Sequence, residues 1–242
     1  MPAGAKSTAA PTSDTRLSVK TDFPHQPRTF TSGEATSREI FVFYSPKNDR
    51  VVAVSDYIHF ALALSLEFDP TVKKYVERPR KIALSPEVTI DLSFWTQDNT
   101  GHEQHLLAIP KGGTIGNARD GVLLRDRTRL ETAAQRHDLQ LTFVLEQELI
   151  NQAALIRVYF LLLPHVQQVR RIADRIAIRH GIETLLKTTM RAALSQLVAA
   201  FPNYMPDHIE AVAAWMIHLG MLRLTDARPL SLNSLLEVRD AA

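Results

Sequence analysis

The segment Ser55–Lys111 limits the fold more than any other part of the chain, because it combines one apolar helix with several short strands. Ile58, Leu62 and Leu66 recur at helical spacing, and the apolar residues between them cover most of the circumference. This pattern predicts a largely buried helix. Pro70 is expected to end it. Strand composition then returns in four short runs with turns between them. These runs are 72–76, 80–83, 88–94 and 105–109.

Composition divides the chain into three parts. Residues 1–36 are rich in Pro, Ser, Thr and Ala and contain few large apolar groups, which predicts a disordered N-terminal arm. Residues 37–150 carry the strands, the buried helix and a second helix expected from Asn117 onward. This mixture indicates an α/β domain. In residues 151–242 the apolar positions recur at helical spacing, which indicates an all-α domain.

The helical part ends in a pattern that predicts a further arrangement. Its first long run is expected to be interrupted or kinked at Pro164 and to end at Gly181. Two more helices are expected within residues 188–219, followed by the runs 221–224 and 229–232, which can pair as a short wing. Two helices followed by a strand pair are the outline of a winged helix.

The composition excludes some classes of site and of protein. The 242 residues carry a net charge of +2 and include no cysteine, so disulfides and thiolate zinc sites are excluded. A charge this small does not indicate nucleic acid by itself, so clustering must carry that argument. The longest apolar runs, 60–66 and 158–163, are far shorter than a membrane span. The N-terminus lacks the apolar segment of a secretory signal. We therefore expect a cytoplasmic protein without membrane contact.

Asp91 is the candidate functional residue of the first half, because it stands alone between apolar residues in a predicted strand. A carboxylate there either belongs to a catalytic or metal site or forms an ion pair, with Lys111 and Arg78 as candidate partners. Lys111 closes another predicted strand, and alternation places it on the same face as Ile109. There it either meets a phosphate or is solvated. His59 on a buried helix is more typical of a hydrogen-bonded core histidine than of a metal ligand.

The helical half contains the stronger nucleic-acid signal. Arg171, Arg175 and Arg179 follow one another at four-residue intervals, which predicts a basic stripe on one helix face. A solvated face of an amphipathic helix is the alternative. Phosphate contacts from such a stripe give salt-sensitive binding without sequence preference. The predicted DNA-binding residues are Arg157, Arg170, Arg171, Arg175, Arg179 and Lys187.

Several short motifs occur in an order that is similar to a known family. They are LEFDP at 66–70, VKKYVERP at 72–79, DLSF at 91–94, LEQELI at 145–150 and the C-terminal runs at 220–224 and 229–231. Together with Lys111, these motifs resemble the TnsA-type endonuclease subunit of heteromeric transposases, over roughly residues 38–238. The order and spacing of the motifs carry the resemblance, since each motif alone is weak.

The resemblance implies a restriction-endonuclease-like N-terminal domain and a winged-helix-like C-terminal domain. Members of the family cut the 5′ strands at transposon ends with Mg²⁺, while a DDE-type transposase cuts and joins the 3′ strands. The C-terminal part contacts DNA and an AAA+ ATPase regulator of the transposase. In such a site carboxylates hold the hard cation through oxygen, and a lysine offsets charge on the phosphate.

This chain departs from the family pattern at the site. By position, the catalytic residues of the family correspond to His59, Asp91 and Lys111, and Asp91 is the one metal ligand. His59 replaces a glutamate, and Ile109 replaces a carboxylate or amide two residues before the lysine. Mg²⁺ prefers several oxygen ligands. No cofactor is therefore expected, and Mg²⁺ or Mn²⁺ is expected only if the site is active.

Three hypotheses follow, each from a different functional class. The first is a TnsA-like subunit that has lost cleavage and bridges the transposase, the ATPase regulator and DNA. The second is an active metal-dependent nuclease that cuts 5′ strands with a rearranged site, completed by Glu67 or Glu77. The third is a winged-helix DNA-binding regulator with an unrelated α/β domain, in which residues 150–242 bind DNA alone. The replacements at His59 and Ile109 favour the first.

Overall fold

The structure is a computed structural model that describes residues 23–117, 121–226 and 228–239. Within these ranges the chain is a mixed α/β protein with several sheets. The helices are α1 (Ser32–Ser37), α2 (Asp56–Phe68), α3 (Arg127–Arg136), α4 (Glu146–Asn151), α5 (Ala153–Gln168), α6 (Arg175–Thr189), α7 (Leu194–Ala200) and α8 (Pro206–His218). Short 3-10 turns occupy Lys111–Gly113 and Val169–Arg171.

The strands are distributed over both halves of the chain. They are β1 (Ile40–Ser45), β2 (Arg50–Ser55), β3 (Val72–Glu77), β4 (Lys81–Ala83), β5 (Thr89–Asp91), β6 (Phe94–Asp98), β7 (Glu103–Ile109), β8 (Thr114–Asn117), β9 (Gly121–Leu124), β10 (Leu141–Leu145), β11 (Arg191–Ala193), β12 (Leu222–Leu224) and β13 (Leu235–Val238). β1 with β2, β4 with β5 and β8 with β9 form separate antiparallel pairs.

A four-stranded sheet in the order β10-β7-β6-β3 forms the centre of the first half. β10 is parallel to β7, and β6 is antiparallel to both β7 and β3. The side chains of β7 alternate between two hydrophobic clusters. Leu106 and Ala108 pack with residues of α2, whereas Leu107 and Ile109 pack with Leu130 of α3. The sheet therefore lies between α2 and α3, as the two-residue period of a strand requires.

The second half consists of α5 to α8 and a three-stranded antiparallel sheet in the order β11-β13-β12. Helix α8 is its most enclosed element, packed against α5, α6 and β12. The buried positions of α8 begin at Ile209 and continue almost without interruption to His218. Because apolar side chains cover nearly its whole circumference, α8 is a core helix with little surface of its own.

Helix α2 belongs to the cores of both halves. It is largely buried, which confirms the prediction, and it ends at Phe68, just before Pro70. Leu62 and Leu66 pack against the central sheet, whereas Leu64 and Phe68 belong to the hydrophobic cluster of the helical half. The Phe68 ring stacks on Tyr159 of α5 with centroids 4.6 Å apart. The predicted boundary after residue 150 therefore does not separate two independent hydrophobic cores.

The region after the central β7 strand differs from its predicted secondary structure. The helix expected from Asn117 onward begins only at Arg127, because the β8–β9 hairpin precedes it. Residues 118–120, on which part of that prediction falls, lie outside the described residues. Gly116 has a φ of 91°, which a helix does not contain. Strand β2 was not predicted from the sequence.

The helical half also differs from prediction at two points. Gly181 lies inside α6 and does not end it. Pro164, which was expected to interrupt or kink the run, lies inside α5, and the helix continues to Gln168. Buried Leu162 and Val166 flank Pro164, so packing of the apolar face outweighs the one backbone hydrogen bond that proline removes. The strand that pairs with β12 is Leu235–Val238, because the run 229–232 that was expected to pair is not a strand.

The predicted disordered arm is ordered over its last part. Residues 1–22 lie outside the described residues, but 23–37 pack against the first half. The His25 ring meets Trp95 edge-on at 5.2 Å, and Phe30 stacks on the guanidinium of Arg78 at 4.1 Å. Thr31 and Glu34 form a capping box at the start of α1. The composition predicted disorder because few large apolar groups are available to offset the loss of chain entropy on ordering. These contacts offset that loss for residues 23–37.

Candidate functional site

A polar cleft of about 360 Å³ lies between the N-terminal end of α2 and the strands β4 and β5. We refer to it as the Asp91 cleft. Strand β5 brings Asp91 to it, the first turn of α2 brings His59, and the β5–β6 connection brings Ser93. Three cations also line it, and these are Arg38, Arg78 and Lys81. The structure thus brings His59 and Asp91 into one site, as their predicted roles require.

Asp91 is held by two arginines. Its Oδ1 pairs with Nη1 of Arg28, and its Oδ2 lies 3.4 Å from Nη2 of Arg78. Arg78 had been considered as a partner from the sequence, whereas Arg28 belongs to the predicted disordered arm and was missed. A carboxylate between two guanidinium groups has its negative charge already neutralised. The ion-pair interpretation of Asp91 is therefore confirmed, with Arg78 and not Lys111 as the partner.

Arg78 is the central cation of the cleft. Its guanidinium, whose side chain is 6% exposed, donates to Glu34 at 2.8 Å and lies under the Phe30 ring. The backbone N–H of Arg28 also donates to the Arg78 carbonyl. Burial lowers the pKa of Arg78 below its ordinary value, although Glu34 acts in the opposite direction. The segment 23–37 thus covers one side of the cleft.

His59 is hydrogen-bonded at both ring nitrogens. Nδ1 lies 2.8 Å from Asp56 Oδ1, and Nε2 lies 3.0 Å from Oγ of Ser93. Ser93 Oγ in turn accepts from the backbone N–H of Ala108 at 2.9 Å. Burial opposes ionisation of Asp56, but hydrogen bonds from the ring and backbone of His59 hold its pKa below the ordinary value. The sequence singled out His59 but missed both of its partners.

Lys111 lies outside the Asp91 cleft, which corrects its predicted place in the site. It begins the 3-10 turn after β7, and its backbone N–H donates to Glu146 at 2.6 Å. Its side chain lines a different pocket together with Ile109 and Glu146. The reason is alternation along β7, because the cleft receives Ala108 while Ile109 faces α3. Ile109 therefore does not occupy a ligand position of the Asp91 cleft.

The residues of the cleft do not fit a magnesium site. Asp91 is the one carboxylate on its lining in the described chain, and two guanidinium groups already contact its oxygens. Mg²⁺ requires several oxygen ligands in octahedral geometry. In residues 23–117, 121–226 and 228–239, no three His, Asp or Glu side chains are grouped so as to hold a metal ion.

The two glutamates considered for a rearranged site are both engaged elsewhere. Glu67 is fully buried and accepts hydrogen bonds from Ser45, Tyr75 and the backbone of Lys47. Glu77 forms a two-pronged pair with Arg50, at 2.8 and 2.5 Å. Neither residue lines the Asp91 cleft, so neither completes a cation site there.

The predicted basic stripe does not lie on one continuous helix. Arg171 ends a 3-10 turn, and three further residues separate it from Arg175, which begins α6. Arg179 donates to Glu183 at 2.7 Å and lies over the Trp215 ring, so its charge is already paired. Arg175 and Arg179 lie on one helix, one turn apart, as predicted. Arg171 does not belong to that helix, because the chain is not helical between Arg171 and Arg175.

A second cleft, of about 620 Å³, lies between the two halves and is lined by cations of both. We refer to it as the basic cleft. Arg170 and Arg175 had been predicted as DNA-binding residues, whereas Lys47 and Lys73 had not. No carboxylate of the described chain is on its lining, but Arg170 pairs with Asp49 outside it, and Nζ of Lys47 donates to the carbonyls of Leu66 and Asp69. Burial lowers the pKa of Lys47 to about 8, against the opposing effect of Glu67 and Asp69.

Arg157 and Lys187 lie apart from the basic cleft. Arg157 is at the edge of an apolar groove of about 550 Å³, and Lys187 is exposed in the last turn of α6. The groove is lined by aromatic side chains of β1, α2 and α5, among them Phe41, Tyr57 and Phe160. The predicted DNA-binding residues therefore belong to several surfaces.

None of the helices in the described ranges is both long enough and apolar enough to span a bilayer. No protein-family model matches the chain, and a search of curated proteins finds no significant match.

Proposed function

We propose that this protein is a TnsA-like subunit of a DNA-transposition complex that has lost metal-dependent cleavage. In this role it binds DNA and bridges a DDE-type transposase and an AAA+ ATPase regulator. The observation that carries the loss of cleavage is the pairing of Asp91 with Arg28 and Arg78, because it leaves the expected cation ligand neutralised.

The arrangement of the first half supports a restriction-endonuclease-like domain. A mixed sheet packs between two helices, and the cleft with Asp91 opens beside the β6–β7 pair. The Ser93 backbone N–H donates to the Leu106 carbonyl, so the segment that follows Asp91 is adjacent to the strand that leads to Lys111. The resemblance to the TnsA-type family requires the segment around Asp91 and the strand that leads to Lys111 to be adjacent in this way.

The second half supports a winged-helix-like unit. Its elements follow the order α6, β11, α7, α8, β12, β13, and the sheet order is β11-β13-β12. In this arrangement α8 corresponds to the second helix of a helix-turn-helix pair, the one that normally reads the major groove. The buried face of α8 leaves little surface for base contacts.

The enclosure of α8 argues against a free-standing sequence-specific regulator. Such a regulator needs its recognition helix accessible, and it needs residues 150–242 to fold alone. Here α8 packs on α5 and also contacts α2. The basic cleft supports DNA contact through phosphates instead, since Lys73 of the first half and Arg175 of the second line it together.

The apolar groove supports a protein partner. Tyr57, Ile150 and Phe160, each more than half exposed, lie together on its lining. Contiguous exposed apolar surface is rare on proteins that act alone. An aromatic-rich groove next to charged residues such as Glu146 and Arg157 has the composition of an interface centre and rim.

The test is a cleavage assay on transposon-end DNA with the full chain, alone and with a DDE-type transposase. We expect no nicking that requires Mg²⁺ or Mn²⁺, while DNA binding is retained and weakens as salt rises. Replacement of Lys73 by glutamate should weaken that binding, whereas Arg127→Glu, at an exposed cation of α3 outside both clefts, serves as the charge-reversal control. Metal-dependent nicking that disappears in Asp91→Ala would instead establish the active-nuclease hypothesis.

A further inference from the structure

We propose that Ser93, His59 and Asp56 form a metal-independent nucleophilic site in the Asp91 cleft, whose substrate is a phosphate ester. This inference goes beyond the transposition proposal and does not depend on it. A serine hydroxyl is a weak nucleophile until a neighbouring base removes its proton, and the base needs a third group that orients it. The cleft supplies all three groups.

The hydrogen bonds run in the order that such a site requires. Asp56 Oδ1 lies 2.8 Å from His59 Nδ1, and His59 Nε2 lies 3.0 Å from Ser93 Oγ. With the ring proton on Nδ1, facing the carboxylate, Nε2 accepts from the serine hydroxyl. The backbone N–H of Ala108 donates to Oγ, so it fixes the oxygen without competing for the hydroxyl proton.

The cations around Ser93 favour an anionic substrate. Arg38, Arg78 and Lys81 line the same cleft. Nη1 of Arg78 is buried and has no hydrogen-bond acceptor among the described residues. A buried donor without an acceptor is costly, and phosphate oxygens are among the best acceptors for a guanidinium group. A neutral carboxylic ester would gain much less from three cations.

Backbone strain occurs at two residues of the same site. Asp56 has a φ of 59° and Arg78 a φ of 47°, although neither is glycine. Such conformations are energetically unfavourable and cluster at functional sites. Here the strain is retained at the residue that orients His59 and at the residue that places a guanidinium in the cleft.

In the proposed reaction, Ser93 Oγ attacks the phosphorus atom while its proton passes to Nε2 of His59. The bond between phosphorus and the leaving alcohol breaks, and the alcohol oxygen takes the proton from His59. Water then attacks the serine phosphoester with His59 as base, which restores the hydroxyl and releases the phosphate product. The cations offset the negative charge that develops on the phosphoryl oxygens. No electron transfer and no metal is required.

Access limits the size of the substrate. The Ser93 residue is only 2% exposed, so a phosphate ester reaches Oγ through the Asp91 cleft. Arg28 and Phe30 cover one side of that cleft through Asp91 and Arg78. Small probes are therefore the appropriate first substrates.

The experiment treats the full chain, in EDTA, with a small fluorophosphonate and maps the modified residue by mass spectrometry. In parallel, hydrolysis of bis(4-nitrophenyl) phosphate and of 4-nitrophenyl acetate is followed by absorbance. We expect the adduct on Ser93, and loss of phosphodiester hydrolysis by about 100-fold or more in Ser93→Ala and His59→Gln. Asp56→Asn should reduce the rate and change its pH profile, whereas exposed Ser195→Ala should change neither.

Several results would overturn the proposal. They are the absence of an adduct on Ser93 in the wild-type chain, a rate unchanged by His59→Gln, and activity abolished by EDTA. A larger rate enhancement over the uncatalysed reaction for the acetate than for the phosphate diester would overturn the assignment of the substrate. Thermal unfolding identifies variants that fail to fold. If Ser93→Ala is one of them, the wild-type adduct and His59→Gln still decide the outcome.

Discussion

Nε2 of His218 lies 2.8 Å from Oε1 of Glu67, although the two residues are 151 positions apart in the chain. Both are buried, Glu67 at 0% and His218 at 5% exposure. Glu67 lies in the last turn of the helix α2 that both halves share, and His218 is the last residue of α8. Ser45, Tyr75 and the backbone N–H of Lys47 also donate hydrogen bonds to the carboxylate. The two halves are thus joined by one buried polar network.

Removal of one partner of this pair should destabilise the whole chain. His218→Leu leaves the Glu67 carboxylate buried with one neutralising partner fewer, which costs about 3–5 kcal/mol for buried pairs. Urea denaturation should show this loss in a single transition. The double variant with Glu67→Leu should cost less than the sum of the two single variants. The exposed Arg127–Glu131 pair is the control, because Arg127→Leu should change the stability by less than about 1 kcal/mol.

The same network predicts an acid sensitivity. Burial opposes ionisation of Glu67, yet the hydrogen bond and charge of His218, with Ser45 and Tyr75, hold the pKa of Glu67 below its ordinary 4.5. A folded-state pKa below the unfolded value means that the unfolded chain binds the proton first. The stabilisation is therefore complete above pH 4.5 and is lost as pH falls through the folded pKa. Urea midpoints should fall over this range in the wild type and less steeply in Glu67→Gln.

The conformation and surroundings of Gly220 predict that a single added methyl group strongly lowers the stability of the protein. It follows α8 with a φ of 72°, and an added Cβ would lie 2.3 Å from Cβ of Pro70. Gly220→Ala therefore combines an unfavourable backbone conformation with a clash between the two halves, and we expect a loss of about 2–4 kcal/mol.

A Gly101→Ala variant separates the backbone contribution from the steric contribution that are combined in Gly220→Ala. Its φ is 89°, but an added Cβ would meet nothing within 4 Å. Gly101→Ala should therefore show the conformational cost alone, about 1–2 kcal/mol. Equal thermal shifts in the two alanine variants would contradict the tight approach of Gly220 to Pro70.

The lowered pKa of His105 predicts a second pH dependence of stability, closer to neutral pH. Burial, with smaller effects from His25 and Arg80, lowers the pKa of His105 from 6.5 to about 4. The unfolded chain therefore binds a proton on His105 between these values, and stability should decrease as pH falls from 6.5 towards 4. His105→Leu should weaken this dependence, and it also removes the buried Nε2, which has no hydrogen-bond partner among the described residues. The exposed His180→Leu should leave the dependence unchanged.

The sequence was sufficient to predict those helices and strands that depend on a local pattern of apolar residues. The buried helix α2, the strands β3, β7 and β10 and the helix α8 follow from apolar spacing and breakers. Alternation along β7 was also predicted, but its consequence for Lys111 depends on which face the cleft occupies. That choice is set by α2 and α3 packing on opposite sides of the sheet, which no local pattern reports.

The partners of the site residues could not be predicted either, because no local sequence pattern reports which distant segments pack together. Arg28 reaches Asp91 across 63 positions, and Ser93 reaches His59 across 34. Nothing in the composition of residues 1–36 distinguishes Arg28 from a solvated cation. Asp56, only three residues from His59, had a local signal in its helical spacing.

The pairing of Asp91 leads to a prediction about the N-terminal segment. Asp91→Ala leaves Arg28 and the buried Arg78 with one carboxylate fewer, so we expect a loss of about 1–3 kcal/mol. Because Arg28 and Phe30 dock on Asp91 and Arg78, the backbone amides of residues 28–34 should exchange hydrogen faster in this variant. Glu87→Ala, an exposed charge deletion next to β5, should alter neither quantity. Unchanged exchange in Asp91→Ala would show that Glu34 alone anchors the segment through Arg78, and that Asp91 has no part in covering the cleft.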